Sequence, residues 1–428
     1  RDDGRPRPVV FLLPGVMGSH LQVNGNRVWL DLEELGQGGL SRLTVDAQSV
    51  KPEAPVEMAY GELAKFLSAT HEVVPHPYDW RLSLVQEAAN LTRALERKLE
   101  EAEPHNQPVS IIAHSMGGLL VRAMIADPKG KLAWQRLCKH PDARLIMLGT
   151  PNGGSYIVPL ALTGRETVLK QLALLNLIHL NLAHHETALI DIVRHYPGLL
   201  EMLPESDEQY NFFAPETWSR LHEVDRHWHA WTKPETAALE QARAVRKLIS
   251  QSLPTPLERV CYVAGCAPAT PAGFYIEKDR QGRDHLRVRP SPHGDGRVLW
   301  QTGQLPGVKT WYMQAVHGDL AAHAPAFPAL LDLLQNGETD KLSTVPPETR
   351  GAQELREFRE EKTPLYPDLE ELTRAAIGSR RKVSKRKTPH RTRVSVVQGN
   401  LAYASHVVMV GHYQGDTIIS AEAHLDRV

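Results

Sequence analysis

The chain reads as an α/β protein: a mostly parallel sheet flanked by helices, with a helical insertion near its middle. Three observations predict this. Continuous apolar runs such as Pro8–Leu13, Val109–Ala113 and Ala143–Leu148 recur between amphipathic helical patterns. That rhythm belongs to parallel strands buried on both faces by crossover helices. Each of these runs ends in a glycine-bearing turn, where an α/β sheet carries its ligands. The alternation then stops at about Tyr156 and resumes at about Glu258, leaving a long, helix-patterned stretch between two halves of one sheet.

At 428 residues the chain has room for one large domain with an insertion, or for two domains. Its 42% hydrophobic and 23% charged content is ordinary for a globular protein, and its net charge of −1 gives no global attraction to nucleic acid or anionic membranes. The three cysteines, Cys138, Cys261 and Cys266, are too few and scattered for a disulfide framework or a zinc site, so core packing is their expected role. No metal or organic cofactor is expected. The longest apolar stretch, Val168–Ala183, is broken by Lys170, Gln171, Asn176, His179 and Asn181, too polar to span a bilayer. No signal peptide is read at the start, and a cytoplasmic location is expected.

In chain order, Pro8–Leu13 is the first buried strand, followed by Pro14-Gly15-Val16-Met17-Gly18-Ser19, a loop able to present backbone N–H groups. A short helix is expected over Gly61–Ser68 and a strand over His71–Pro75. Asp79 can cap a helix from Leu82 to Glu101, whose Leu84, Val85, Ala88, Leu91, Leu95 and Leu99 form one apolar stripe. Next, Val109–Ala113 drives into His114-Ser115-Met116-Gly117-Gly118 and leaves at once as a helix through Leu119, Leu120, Ala123 and Met124. This strand–turn–helix context is the one a nucleophile elbow needs, with Ser115 at the apex and His114 pointing away from it.

Helices are expected over Val168–Ala183, Glu186–His195, Trp218–Trp231 and Glu235–Ser252. Frequent aromatic and apolar residues there, among them Phe212, Phe213, Trp218, Trp228 and Trp231, suit a cap over an acyl or lipid pocket. The sheet resumes at Glu258–Ala264. A hairpin is expected from Gly273–Lys278 and His285–Arg289, a strand over Val308–Ala315, and a closing helix over Pro325–Leu334. Beyond Asn336 the chain becomes charged, with short helical stretches near Gln353–Phe358 and Leu369–Ala376. Arg380–Arg393 holds eight Lys or Arg and no acid, the pattern of a solvated linker. Val394–Val397 and His406–Val410 look like the first strands of a second, incomplete α/β unit that further domains or a protein partner would complete. The domain reading is therefore a core over 1–155 and 256–340, a helical cap over 156–255, a linker over 341–393 and a new unit over 394–428.

A serine hydroxyl needs a base to take its proton and donors to hold the oxyanion. Ser115, Asp295 and His317 occur in the order nucleophile, acid, base, each just after a strand or hairpin. His323 is the alternative base. Asp279 and Asp284 sit on or beside the hairpin, and Asp319 is too close to His317 to orient it. The expected oxyanion donors are the backbone N–H groups of Met116 and of Val16, with Met17 beside it.

Taken together, Pro14-Gly15-x-x-Gly18, Pro77-Tyr78-Asp79-Trp80-Arg81, Ala113-His114-Ser115-Met116-Gly117, Gly149-Thr150-Pro151-x-Gly153-Gly154-Ser155 and Gly294-Asp295-Gly296 resemble the lecithin–cholesterol acyltransferase and lysosomal phospholipase A2 branch of the α/β-hydrolases. The resemblance spans roughly residues 8–336. It implies an α/β-hydrolase fold with a cap, action on acyl esters of lipids, Ser115, Asp295 and His317 or His323 as a triad, and Val16 and Met116 as oxyanion donors. Ala113 departs from the usual first glycine, and no paired cysteines bracket a cap loop. The function expected is a serine esterase of lipase or phospholipase type, able to transfer acyl groups if an alcohol is bound, with contact to a lipid surface and none to nucleic acid. Two other readings remain at this stage: a hydrolase-fold effector or interaction module of a larger signalling protein, and a peptidase or amidase on the same fold.

Overall fold

Six parallel strands form the central sheet of the computed structural model, which describes residues 6–178, 186–204, 209–226, 229–348 and 367–380. In chain order the strands are β1 (Val9–Leu13), β2 (Ser19–Val23), β3 (Asn26–Trp29), β4 (Val50–Pro55), β5 (Glu72–Pro75), β6 (Val109–His114), β7 (Leu145–Leu148), β8 (Val260–Gly265), β9 (Thr270–Lys278), β10 (Asp284–Ser291) and β11 (Lys309–Met313). The main sheet runs β11-β8-β7-β6-β1-β5; β3-β2-β4 and the hairpin β10-β9 are small separate sheets. From β1 the chain steps to β5 on one side and then to β6 on the other. Loops leaving the C-terminal ends of β1 and β6 therefore diverge and open a crevice between them. Ser115 and the Pro14–Ser19 loop stand at that crevice because β1 and β6 are paired with Leu13 beside Ala113.

Strand side chains alternate between the two faces. Val9, Phe11, Leu13, Ile111 and Ala113 pack with helices Leu84–Ala102 and Met116–Ala126. On the other face Val10, Leu12, Ile112, Ile146 and Val263 pack with helices Glu57–Leu67 and Phe327–Asn336. Each fully buried leucine on these helices contributes about 2 kcal/mol, so both layers hold the crevice rigidly.

Several local expectations are revised. The helix expected at Gly61 begins at Glu57. Asp79 does not cap the following helix, which starts at Leu84. Its carboxylate is taken by the buried Arg81 guanidinium, with Nε at 2.9 Å and Nη2 at 2.6 Å, because a buried cation without a counter-charge is far costlier than an uncapped helix. Glu201 of the insertion supplies the missing acceptor, 2.7 Å from the Leu84 N–H. Val85 lies outside the buried stripe at 39% exposure. The Trp218–Trp231 helix runs instead over Pro215–Asp225, entered through a proline at its first turn.

The insertion also divides differently. Thr236–Ser250 is the crossover helix into β8 and packs on the elbow helix: Arg122 donates to the Ile249 carbonyl at 2.7 Å and to Asn152 Oδ1 at 2.9 Å. It belongs to the core layer, not to a cap. The buried aromatics Tyr210, Phe212 and Trp218 contact one another and Phe274 of β9, with Trp231 against Trp218. They are continuous with the buried core on the Val9, Phe11 and Leu13 face of the sheet.

Residues 367–380, assigned above to the linker, form a helix over Leu369–Ile377 with a capping box between Asp368 and Glu371. Leu372, Ala376 and Ile377 are buried, and the Gly318 N–H bonds the Gly378 carbonyl at 3.1 Å. The flanking charges suggested solvent, but the apolar stripe closes against the turn at His317. Trp228, most of the 341–393 stretch including Gln353–Phe358, and the strands expected after Val394 lie outside the described residues. No helix among the described residues is long and apolar enough to cross a membrane.

Glu201 gives this architecture a pH dependence. Burial lifts its carboxyl from 4.5 to about 7, against the pull of its hydrogen bonds with Ser83 and Leu84. A folded-state value above the unfolded one means the protonated form is favoured by folding. That contribution is full below about pH 4.5 and lost as pH rises through about 7. Glu201→Gln keeps the acceptor without the charge, so it is expected to stabilise the protein at pH 8.5 by roughly 1–3 kcal/mol. The gain should vanish below pH 5, as urea-unfolding midpoints would reveal.

Candidate active site

The turn after β6 puts Ser115 at φ 53° and ψ −124°, a conformation a non-glycine residue holds only when its surroundings enforce it. They do. The Ser115 N–H bonds the Leu148 carbonyl of β7 at 2.8 Å, and the helix leaves immediately at Met116. A Cβ at Gly118 would sit 2.0 Å from Thr150 Oγ1, and one at Gly15 would sit 2.9 Å from Ser115 Cβ. The small residues are therefore demanded by close approach of the elbow to its neighbours.

Ser115, His317 and Asp295 are all buried and joined in one hydrogen-bonded line. His317 Nε2 lies 2.8 Å from Ser115 Oγ, and its Nδ1 lies 2.8 Å from Asp295 Oδ2. The other Asp295 oxygen accepts the N–H groups of Arg297 at 2.9 Å and Val298 at 2.7 Å, while the Asp295 carbonyl accepts the His317 N–H at 2.8 Å. The acid is thus fixed by its own turn, leaving one oxygen for the imidazole. With Nδ1–H donating to the carboxylate, Nε2 is left to accept the serine proton. His323, the alternative base, sits half-buried at the start of the Ala324–Ala326 turn and is not brought into this line.

Val16 and Met17 lie in the loop after β1, and Met116 provides the first N–H of the elbow helix, one of those without an intrahelical acceptor. The Tyr-Asp-Trp-Arg segment secures this loop from behind. Tyr78 donates its hydroxyl to the Pro14 carbonyl at 3.0 Å, and Trp80 donates Nε1–H to the Ser19 carbonyl at 3.1 Å. Trp29 donates to the Met17 carbonyl at 2.9 Å and packs edge-on against Trp80.

A second connection was not foreseen from sequence. The Gly15 N–H donates to the Tyr60 hydroxyl at 2.8 Å, which in turn lies 2.8 Å from His114 Nδ1. His114 Nε2 then meets the His317 carbonyl at 2.9 Å. Because a carbonyl can only accept, Nε2 carries the proton and Nδ1 accepts from tyrosine. Burial, with help from neighbouring His317, pushes His114 down to about 3, so it is neutral at working pH. The chain of bonds ties the β1 loop to the histidine turn beneath the elbow. Nothing local to Tyr60 signals this; only the fold brings it there. Tyr60→Phe leaves two buried groups unpaired and is expected to cost about 2–4 kcal/mol of stability, measurable by urea unfolding.

An apolar cleft of about 420 Å³ adjoins the loop, bounded by Val16, Met17, Ile157, Leu169, Leu199 and Met202 among others. Cys138, Cys261 and Cys266 are free, and burial pushes all three thiols up, to about 12, 12 and 11, leaving them inert. Among the described residues no group of three or more His, Cys, Asp or Glu is arranged to hold a metal ion.

Residues 62–237 match the family model of lecithin:cholesterol acyltransferase. The chain has the α/β-hydrolase fold and over this stretch is similar to that family. The matched stretch contains both the elbow and the Tyr-Asp-Trp-Arg segment. The uncharacterized protein YJR098C of Saccharomyces cerevisiae is 36% identical over 166 residues, which are 33% of this chain and 23% of the yeast protein. Solved structures similar to this chain include the Tle4–Tli4 complex, at 14% identity and a TM-score of 0.45 over 77% of this chain and 98% of the other. The mature lipase BlEst2 of Bacillus licheniformis gives 14% identity and a TM-score of 0.38 over 78% and 94%. Phospholipase PlaB of Legionella pneumophila gives 13% identity and 0.35 over 78% and 60%.

Proposed function

We propose that this α/β-hydrolase cleaves carboxylic esters of lipids through Ser115, with His317 as base and Asp295 as its orienting acid. The observation that carries this reading is the hydrogen-bonded line Ser115–His317–Asp295 beside an apolar cleft bounded by Val16 and Met17. His317 Nε2 takes the Ser115 proton as Oγ attacks the ester carbonyl. The N–H groups of Met116 and Val16 hold the oxyanion, and Asp295 stabilises the imidazolium. Collapse breaks the bond to the alcohol, which leaves with the proton from His317. Water, or a bound alcohol, then attacks the acyl-enzyme with His317 again as base, releasing an acid or a new ester. The similarity to lecithin:cholesterol acyltransferase supports either acceptor.

The cleft supports an acyl chain rather than a peptide, since a peptide backbone needs polar partners along its length. The test is fatty-acid release from dispersed glycerolipids and cleavage of p-nitrophenyl esters by the purified chain. Turnover that rises with acyl length supports the lipid assignment, whereas cleavage of amide substrates alone would overturn it.

A further inference from the structure

The turns carrying Asp295 and His317 both reach the segment 367–380, each through the residue two places further on. After Asp295, the Arg297 guanidinium donates to the Ala375 carbonyl at 2.6 Å and to the Ala376 carbonyl at 3.0 Å. These belong to the last turn of the Leu369–Ile377 helix, where carbonyls lack intrahelical donors and a cation is favoured. The same guanidinium donates to Glu166 at 2.8 Å, while the Arg297 N–H holds Asp295 Oδ1 at 2.9 Å. After His317, the Asp319 carboxylate is buried. Among the described residues both of its hydrogen bonds come from the end of the segment. The Ser379 hydroxyl donates to Oδ1, and the Arg380 backbone N–H donates to Oδ2 at 3.2 Å. Two glycines let the surfaces close. A Cβ at Gly318 would stand 2.4 Å from the Ile377 carbonyl oxygen, and one at Gly378, where φ is 74°, 2.3 Å from Arg297 Nε.

We propose that residues 367–380 clamp the acid and base turns in register, with Arg297 and Asp319 as positioning residues for Asp295 and His317. The proposal rests on the reading of Ser115, His317 and Asp295 as a triad, and names the element that holds two of its members. Its physical basis is the cost of release. Undocked, the segment would leave the Asp319 carboxylate buried without a donor, a cost relieved by movement of the His317 turn toward water. Release would also strip Arg297 of two acceptors beside Asp295. A shift of about 1 Å between reacting groups is enough to cost about 10²-fold in rate. Asp319 itself touches neither Ser115 nor the imidazole; it acts through the turn.

Gly378→Val obstructs docking from the segment's side and Asp319→Ala releases it from the turn's side. Both are expected to lower kcat for p-nitrophenyl butyrate by about 10- to 100-fold with KM within about twofold. Asp319→Asn should stay within about threefold of wild type, since its amide can accept from Arg380 and donate to the Ser379 hydroxyl. Leu91→Ala, a buried position on helix Leu84–Ala102, is the control: it should lower the melting temperature and leave kcat in place. The downfield proton resonance of the His317–Asp295 hydrogen bond, assigned by its loss in His317→Ala, should weaken in Gly378→Val and Asp319→Ala and persist in Leu91→Ala. Ser379→Ala removes one hydroxyl with little packing and gives the same test if Gly378→Val does not fold. Unchanged kcat in folded Asp319→Ala and Ser379→Ala would reduce the segment to a structural brace, and a raised kcat would make it a cover over the site; either overturns the clamp. A wild-type protein without esterase activity would remove the hydrolase reading, while the resonance would still decide whether the segment holds the two turns.

Discussion

Ser115→Ala is expected to lower p-nitrophenyl ester hydrolysis by about 10⁴-fold or more, the scale on which a serine nucleophile and its base act as one unit. The loss should lie in kcat, since alanine leaves the apolar cleft and the Pro14–Ser19 loop untouched. Stability should barely change: serine and alanine share the same strain at φ 53°, and the backbone bond to Leu148 needs no side chain. A loss smaller than tenfold in a protein with a native melting profile would point to a different nucleophile.

The second large effect separates two histidines. His317→Ala removes the only imidazole within hydrogen-bond reach of Ser115 Oγ among the described residues and should cost about 10³–10⁴-fold. His323→Ala should stay within about threefold, because that side chain is outside the hydrogen-bonded line and its turn is closed by backbone bonds. The reverse pattern in steady-state kinetics would reassign the base.

The sheet and the elbow were legible in the sequence because they rest on local signals. Buried parallel strands are continuously apolar, and the close approaches at Gly15 and Gly118 leave small residues that can be read directly. Chain order also points to Asp295 and to His317 ahead of His323; both histidines follow the same strand, and the turn brings His317 to within 2.8 Å of Ser115 Oγ. Non-local pairings were not legible. Asp79 looked like a helix cap until Arg81 was seen to be buried with it, and Tyr60 carried no sign of its bonds to Gly15 and His114. The short helix near Leu369–Ala376 is legible in the sequence, but the burial of Leu372, Ala376 and Ile377 is not, because the surface they meet is distant in sequence. Packing faces of helices are visible in a sequence; what they pack against is not.

In the proposed reaction Ser115 Oγ is the atom that takes the acyl group. Peptide-resolved mass spectrometry of the protein after a fluorophosphonate, with and without a competing p-nitrophenyl ester, tests it most directly. The expected result is one adduct, on the peptide carrying Ala113-His114-Ser115-Met116 and localised to Ser115, diminished by the competing ester. An adduct on another residue, or an unlabelled protein that still hydrolyses esters, would contradict it.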